Sequence, residues 1–196
     1  SQTEWTGVPL KTVLDEVGVD PDATWMLAEG ADAAAMDRSI PIEKAMDDAL
    51  LDYAMNGEAL RPAQGYPLRL VLPGWEGNAQ IKWLRRLELG DAPWQTREET
   101  SKYTDLMPDG SARQFTFVME CKSVITNPSG GQTISGHGFH EISGLAWSGR
   151  GRITRVEVSV DGGETWEDAQ LQEPILPMAL TRFRFPWEWT GQAARL

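Results

Sequence analysis

The spacing of turn-forming residues constrains the fold of this chain more than any other feature. Nineteen glycines and 12 prolines are scattered, mostly singly, through 196 residues, with apolar runs between them. That distribution is typical of a strand-rich protein with many turns and argues against a helical bundle. The pattern also changes along the chain: residues 1–110 predict short helices mixed with strands, whereas residues 111–196 predict strands alone. We therefore predict an α+β protein of two domains with these bounds.

Two short helices are predicted in the first domain. Between Leu10 and Val17 the apolar residues recur at i, i+3, i+4 and i+7, and Gly18 follows at a position suited to a helix C-cap. A second helix begins after Pro41, where Ile42 and Met46 are spaced to share one face. The rest of this domain predicts strands at residues 50–55, 68–72 and 81–89.

Turn and loop signals organise those strands. Asn56-Gly57 is the strongest two-residue hairpin signal, and it directly follows the strand at 50–55. Residues 29–39 are predicted to be a polar loop, as are residues 91–112, which show no convincing periodicity. Long loops of this kind are uncommon unless they link domains or build a site.

The second domain is predicted to be a β-sandwich of immunoglobulin type. Val156, Val158 and Val160 alternate with polar residues, as in a half-buried antiparallel strand. Further strands are expected at 115–119 and 142–148, at the short intervals typical of a sandwich. Few strands remain to close it, so the domain is expected to be partial.

Composition excludes several classes of function. The net charge of −11 argues against nucleic-acid binding, which needs a basic surface. The acidity favours solubility, with a face for a basic partner such as a cytochrome as the alternative. No apolar run approaches the ~20 residues that span a bilayer, and residues 1–4 carry no sign of a signal peptide.

Residues that could carry chemistry are few. Arg69, Lys82, Arg85 and Arg86 could bind an anion such as a phosphate, although paired surface charges are the favoured reading. His137 and His140 are interpreted as exposed or at a strand edge, in preference to a metal site. The lone Cys121 is expected to be an inert thiol, buried or half-buried. Four tryptophans of the second half are expected in the sandwich core or an interface: Trp147, Trp166, Trp187 and Trp189. No metal-ligand cluster and no haem-attachment motif is present in the sequence.

A series of motifs, in order, resembles the sulfite oxidase family of molybdenum enzymes. The motifs cover nearly the whole chain. They are Glu4–Leu10, Glu29–Asp32, Ser39–Pro41, Tyr53–Gly57, Gly65–Arg69, Ile81–Arg86, Gly144–Gly149 and Val158–Trp166. Within that family, residues 101–110 are most similar to the sulfane dehydrogenase subunit of bacterial sulfur oxidation.

The resemblance implies a molybdopterin-binding domain, partial in this chain, followed by a partial immunoglobulin-like dimerisation domain. It also implies that molybdopterin is held by the residues matching Asp32, Arg69, Gln80 and Lys82. Arginine and lysine suit a dianionic phosphate, and an aspartate suits the pterin N–H groups. Tyr103 matches a tyrosine of the catalytic pocket, whose phenol would hydrogen-bond a sulfur oxyanion.

Activity, partners and location are likewise implications of the resemblance. They are oxidation of sulfane sulfur on a carrier protein, or of free sulfite as the alternative, with electrons passed to a c-type cytochrome. A homodimer and a periplasmic location are also implied. The family's molybdenum-ligating cysteine and pocket arginines match no residue here, and Cys121 is not at the ligand position. The chain is therefore expected to be an internal piece of a longer enzyme, inactive alone, with a non-catalytic binding or dimerisation fragment as the alternative.

Overall fold

The computed structural model describes residues 2–196, so Ser1 lies outside it. The chain divides into two compact units, one ending at Val118 and the other running from Met119 to Leu196. We call them unit 1 and unit 2 and describe each by itself. The predicted class is confirmed, because unit 1 mixes short helices with strands and unit 2 is built from strands.

Unit 1 contains three short helices and nine strands. They are β1 (Trp5–Pro9), α1 (Leu10–Val17), β2 (Trp25–Gly30), β3 (Asp37–Pro41), α2 (Ile42–Asp47), β4 (Leu50–Met55), β5 (Glu58–Ala59), β6 (Arg69–Val71), β7 (Leu84–Gly90), α3 (Arg97–Ser101), β8 (Asp105–Leu106) and β9 (Ala112–Arg113). One antiparallel sheet has the order β1-β4-β5 with β6 also paired to β4, and a second has the order β3-β2-β7. β8 and β9 pair as a hairpin.

Local signals account for the two elements that matched the prediction best. α1 buries Leu10 and Leu14 on its apolar face, and the Gly18 N–H donates to the Leu14 carbonyl at 3.1 Å. Asn56 and Gly57 both have positive φ, as a tight hairpin turn requires, and Met55 pairs with Glu58 across it. Both the first helix and this hairpin are therefore confirmed.

Four predictions in unit 1 were wrong. Residues 91–112 are not one loop, since they contain α3, β8 and the start of β9. Residues 29–39 are not one loop, since β2 extends into the segment and β3 begins at Asp37. The strand expected from residue 81 begins at Leu84, because Trp83 has a positive φ. Residues 115–119 form no regular strand, and Phe117 instead stacks on Trp75 at 4.2 Å between ring centroids.

Unit 2 is a four-stranded antiparallel sheet with a two-stranded ladder. The strands are β10 (Lys122–Asn127), β11 (Gly138–Trp147), β12 (Glu157–Val158), β13 (Glu167–Asp168), β14 (Gln170–Gln172) and β15 (Thr181–Trp189). The sheet order is β10-β11-β15-β14, and β12 pairs with β13. The strand predicted from Val156, Val158 and Val160 is thus reduced to β12, whereas β10 had not been predicted.

The core of unit 2 lies between that sheet and the segment that contains β12. Ile142 and Ala146 of β11 alternate with half-buried positions and pack with Phe183 and Phe185 of β15. Ile153 and Val158 close the core from the other side, although only Val158 lies in a strand. Val156 and Val160 are half-buried against this core, but Ser159 between Val158 and Val160 is also buried, so the predicted alternation is present only in part.

The aromatic residues of unit 2 do not all enter this core. Trp187 is half-buried and packs against it, whereas Trp166 is 58% exposed, so of its two predicted places, the core or an interface, the core is excluded. Among residues 2–196, no helix is long and apolar enough to cross a membrane.

Candidate functional site

The four cations of the predicted basic cluster separate into two pairs. On β7, Arg85 forms an ion pair with Glu29 of β2, and Arg86 forms one with Glu88 of its own strand. For these two arginines the reading as paired surface charges is confirmed. Arg69 and Lys82 lie elsewhere and do come together.

Gly65 lies between Arg69 and Lys82. The Leu70 N–H donates to the Ile81 carbonyl at 2.8 Å. This bond brings Arg69, which precedes Leu70, next to Lys82, which follows Ile81. A Cβ built on Gly65 would lie 3.0 Å from the Lys82 Cβ and 3.2 Å from the Arg69 Cβ. Gly65 also has φ +110°, a backbone conformation that residues other than glycine rarely adopt. The two cationic stems can therefore approach each other because this position has no side chain.

Both cationic groups bind the same short turn. The Lys82 Nζ donates to the Ala63 carbonyl at 3.1 Å, and the Arg69 Nη1 donates to the Gln64 carbonyl at 2.9 Å. The Trp5 ring lies over the Arg69 guanidinium, with 4.5 Å between its centroid and Cζ. We call Gly65, Arg69 and Lys82 the Arg–Lys site.

The Arg–Lys site has the chemistry of an anion site. The Arg69 Nε is buried and has no hydrogen-bond partner among the described residues. Burial lowers the pKa of Arg69, and the charge of Asp52 opposes that effect, but a guanidinium remains protonated in proteins. The site combines two cations with a buried donor that has no partner, beside a turn that a Cβ would crowd. These features fit the phosphate end of molybdopterin.

Asp32 lies at the same edge of unit 1 as Lys82. A Cβ on Gly30 would be 2.8 Å from the Lys82 carbonyl oxygen and 3.6 Å from the Asp32 Oδ1. The Asp32 Oδ1 accepts the Met36 N–H at 3.0 Å, and this bond holds the loop before β3. Among the described residues its other carboxylate oxygen accepts no hydrogen bond, so one acceptor remains for another donor.

Gln80 has a different environment. Its Oε1 accepts the Leu72 N–H at 2.7 Å, and its Nε2 donates to the Leu72 carbonyl at 2.9 Å. Both ends of the amide thus bond the chain just after β6. In this arrangement Gln80 holds the backbone that carries Arg69.

Tyr103 lies just after α3, away from the contacts that define the Arg–Lys site. Its side chain is 42% exposed, and its N–H donates to the Glu98 carbonyl at 2.9 Å. The Arg38 guanidinium lies 5.4 Å from the centroid of the ring. Arg38 is itself only 1% exposed, which is unusual for an arginine.

Glu99 attaches the segment that carries Tyr103 to β3. Its carboxylate accepts the Ser39 N–H, the Ser39 hydroxyl at 3.1 Å and the Thr96 N–H at 3.0 Å. The Arg38 Nε is 3.9 Å from the same carboxylate. Burial lowers the pKa of Arg38, and the negative charge of Glu99 opposes that effect.

Sequence reasoning missed three buried charged residues: Arg38, Asp52 and Glu99. A signal was available for Asp52, which interrupts the otherwise apolar run that begins β4. Arg38 lay in a segment interpreted as a loop, where an arginine is expected to be exposed. Glu99 looked like one of several charges in residues 91–112, which were also interpreted as a loop.

The predicted candidates of unit 2 do not form a site. The His140 Nε2 is 3.0 Å from the Gly136 carbonyl oxygen, and both histidine rings contact Trp189. Within residues 2–196, no group of three or more potential ligands could hold a metal ion. Cys121 is exposed, which corrects the prediction of a buried or half-buried thiol; it lines a cleft of about 420 Å³ with Arg155 and Trp166.

Two family models match this chain in tandem. The oxidoreductase molybdopterin binding domain matches residues 1–98, and the Mo-co oxidoreductase dimerisation domain matches residues 113–188. The first covers half of the chain and includes the Arg–Lys site.

Individual relatives agree with those models. Mitochondrial sulfite oxidase of Mus musculus is 36% identical over 96% of this chain and 37% of its own length. Nitrate reductase [NAD(P)H] of Hordeum vulgare is 32% identical over 96% of this chain and 24% of its own length.

A solved structure gives a stronger match. The crystal structure of the sulfane dehydrogenase SoxCD from Paracoccus pantotrophus has a chain that is 56% identical, with a TM-score of 0.93. That match covers 98% of this chain and 50% of the other. The chain thus spans half or less of the proteins it matches. It belongs to the sulfite oxidase family of molybdopterin oxidoreductases, with a molybdopterin-binding domain followed by a dimerisation domain.

Proposed function

We propose that the whole protein is a molybdenum oxidoreductase that oxidises carrier-bound sulfane sulfur, and that unit 1 holds the phosphate end of its molybdopterin at the Arg–Lys site. The observation that carries the site is the convergence of Arg69 and Lys82 on Gly65, with a buried guanidinium N–H that has no partner. A dianionic phosphate would accept hydrogen bonds from both side chains.

Each of the other candidate residues has a role that its contacts support. Asp32 would accept pterin N–H groups through the oxygen that does not bond Met36. Gln80 would act on the site through the backbone after β6, where its amide is engaged. When bound, molybdopterin would supply the two-electron acceptor for oxygen transfer from water to sulfur. Tyr103 would donate its phenol proton in a hydrogen bond to the sulfur oxyanion.

Similarity supports sulfane sulfur over sulfite as the substrate. The chain is 56% identical to a chain of the SoxCD sulfane dehydrogenase and 36% identical to the mouse sulfite oxidase. Free sulfite is the alternative substrate. A c-type cytochrome as the electron acceptor, a periplasmic location and a homodimer formed through unit 2 complete the proposal; the match of unit 2 to the dimerisation domain supports the last.

The site is tested by cofactor content. Arg69→Ala in the intact protein is expected to lower the molybdenum and pterin that co-purify with it, because a phosphate contact is lost. Arg85→Ala is the matched control, since Arg85 is an exposed strand arginine paired with Glu29. Equal occupancy in Arg69→Ala and the wild type would contradict the phosphate role.

The reaction is tested by turnover. Tyr103→Phe should reduce cytochrome reduction that depends on carrier-bound sulfane sulfur, with the cofactor content unchanged. The same assay with free sulfite separates the two substrates. Faster turnover with sulfite than with the loaded carrier would overturn the substrate assignment, and full activity of Tyr103→Phe would overturn the role of the tyrosine.

A further inference from the structure

Asp52 is the buried carboxyl group nearest the Arg–Lys site, and the proposed function does not use it. It lies in β4 with no exposed surface, and neither carboxylate oxygen has a hydrogen-bond partner among residues 2–196. A buried carboxylate without hydrogen bonds is costly in a folded protein. A functional role for Asp52 would explain why a carboxyl group occupies this buried position.

Arg69 faces Asp52 across the sheet. The two residues are direct partners in the register of β4 and β6, and each charge acts on the other. The buried Nε of Arg69 also has no hydrogen-bond partner. The Arg69 guanidinium therefore acts on a buried carboxylate and also belongs to the proposed anion site.

The remaining neighbours of Asp52 bring no second charge to it. β1 packs against it through Gly7, where a Cβ would overlap the Asp52 Oδ1. On β4 itself, Leu51 belongs to the apolar core and Tyr53 is half exposed. Among residues 2–196, Arg69 is the one charged group that acts on this carboxyl.

Burial raises the pKa of Asp52 to about 6, and the positive charge of Arg69 opposes that rise. A dianion bound to Arg69 offsets this positive charge. The ionised form of Asp52 then loses its main stabilisation, so its pKa rises further. A carboxyl that titrates near neutral pH can respond to such a change.

We propose that Asp52 is a proton-linked counter-charge to Arg69: it takes up a proton from solvent when a phosphate or another dianion binds at the Arg–Lys site. This inference rests on the proposed anion-binding role of Arg69. The reciprocal effect is that anion affinity falls as the pH rises above about 6 and Asp52 ionises. A neutral Asn at this position should bind the anion with the affinity that the protonated wild type has.

The test is isothermal titration calorimetry of the 196-residue chain with inorganic sulfate. Sulfate stays a dianion between pH 5 and 8, whereas a phosphate monoester titrates near pH 6 and would obscure the result. Titrations in two buffers of different ionisation enthalpy give the number of protons taken up. We expect net uptake of a fraction of a proton at pH 7 in the wild type.

Asp52→Asn should abolish that uptake and bind sulfate several-fold more tightly than the wild type at pH 8, up to about tenfold for each unit of pKa change. Asp47→Asn is the matched control, because Asp47 is exposed and should leave both quantities unchanged. Unchanged uptake in Asp52→Asn, or weaker binding at pH 8, would overturn the inference. If Asp52→Asn does not fold, the number of protons that the wild type takes up on binding sulfate still tests the inference, and no uptake at pH 7 would overturn it.

Arg69→Ala separates this inference from the function on which it rests. Loss of sulfate binding in Arg69→Ala with unaltered proton uptake in Asp52→Asn would overturn only the role of Asp52. Normal sulfate binding in Arg69→Ala, or no binding by the wild type, would overturn the anion site and the inference together.

Discussion

Unit 1 buries three charged side chains, whereas the described part of unit 2 buries none. Arg38, Asp52 and Glu99 are each no more than 1% exposed, and the buried polar residues of unit 2 are the uncharged Ser159 and Thr181. Unit 2 is thus held by an apolar core, with its ion pairs at the surface. Buried charge is costly, so unit 1 carries a cost to its stability that the described part of unit 2 does not.

The carboxyls Asp52 and Asp161 give the sharpest form of this contrast. Burial without hydrogen bonds raises the pKa of Asp52 to about 6. In unit 2, hydrogen bonds from Thr165 and Ser159 lower the pKa of the exposed Asp161, which closes the turn after β12. One carboxylate destabilises its unit when ionised, and the other stabilises it.

The largest expected effect is the loss of an aromatic ring from the core of unit 2. Phe183→Ala should lower the free energy of unfolding by about 3–5 kcal/mol, because it leaves a cavity in an apolar core. Phe183 is 2% exposed, and its ring covers Gly144 on β11. Denaturant unfolding with hydrogen exchange by mass spectrometry measures the loss and locates it.

Phe139→Ala is the control for that prediction, since Phe139 lies on β11 and is 69% exposed. It should change stability by less than about 0.5 kcal/mol. Equal effects of the two substitutions would show that unit 2 does not depend on this apolar core.

The next effect tests the buried polar network of unit 1. Glu99→Ala should cost roughly 2–4 kcal/mol, because it leaves the Ser39 and Thr96 N–H groups without their acceptor. Faster hydrogen exchange in α3 and at Tyr103 should accompany the loss. Glu98→Ala on the same helix is the control: it keeps the backbone carbonyl that binds Tyr103 and should have little effect. Unchanged exchange at α3 in Glu99→Ala would contradict the attachment.

The smallest effect has the opposite sign. The folded pKa of Asp52, about 6, exceeds the ordinary value of 3.8, so the folded chain binds more protons between these values. The stability that Asp52 contributes therefore falls as the pH rises from about 4 to about 6. Asp52→Asn should raise the free energy of unfolding by roughly 1–3 kcal/mol at pH 7–8, with no gain below about pH 4. Chemical denaturation across this pH range measures it.

Asp161→Asn provides the reverse pH dependence. The folded pKa of Asp161 lies below its ordinary value, so its contribution is present above that value and is lost as the pH falls through the folded pKa. Asp161→Asn should destabilise the chain at pH 7, and the difference should shrink in acid. If the free energy of unfolding had the same pH dependence in Asp52→Asn and Asp161→Asn, the proposed difference between the two carboxyls would be wrong.

The parts of the fold that were predictable depend on neighbours in sequence. α1 follows from the spacing between Leu10 and Val17, and the β4–β5 hairpin follows from Asn56-Gly57. β3 could not be predicted, because Arg38 and Ser39 look polar, and the carboxylate that pairs with them in the interior belongs to Glu99, about 60 residues later. The segment 115–119 has strand-like composition, but the rings of Phe115 and Phe117 pack on Trp25 and Trp75.

The candidate site shows the same division. The sequence placed Arg69 and Lys82 in a group of four cations and, through family motifs, among the cofactor residues. The pattern of charges, without those motifs, did not separate them from Arg85 and Arg86, whose partners are acidic side chains on folded strands. Nor did it point to Asp52, because the charge of a carboxyl depends on burial that the fold creates.

The sequence by itself determined the α+β class, the first helix, the tight hairpin and the family, since each depends on local spacing or on motifs in order. Only the tertiary structure decided which charges are buried and which cations meet. Gly65 joins Arg69 to Lys82, and β4 sets Asp52 against Arg69, through contacts between separate parts of the chain. The electrostatics of the site follow from desolvation and distance, and both exist only once the strands have paired.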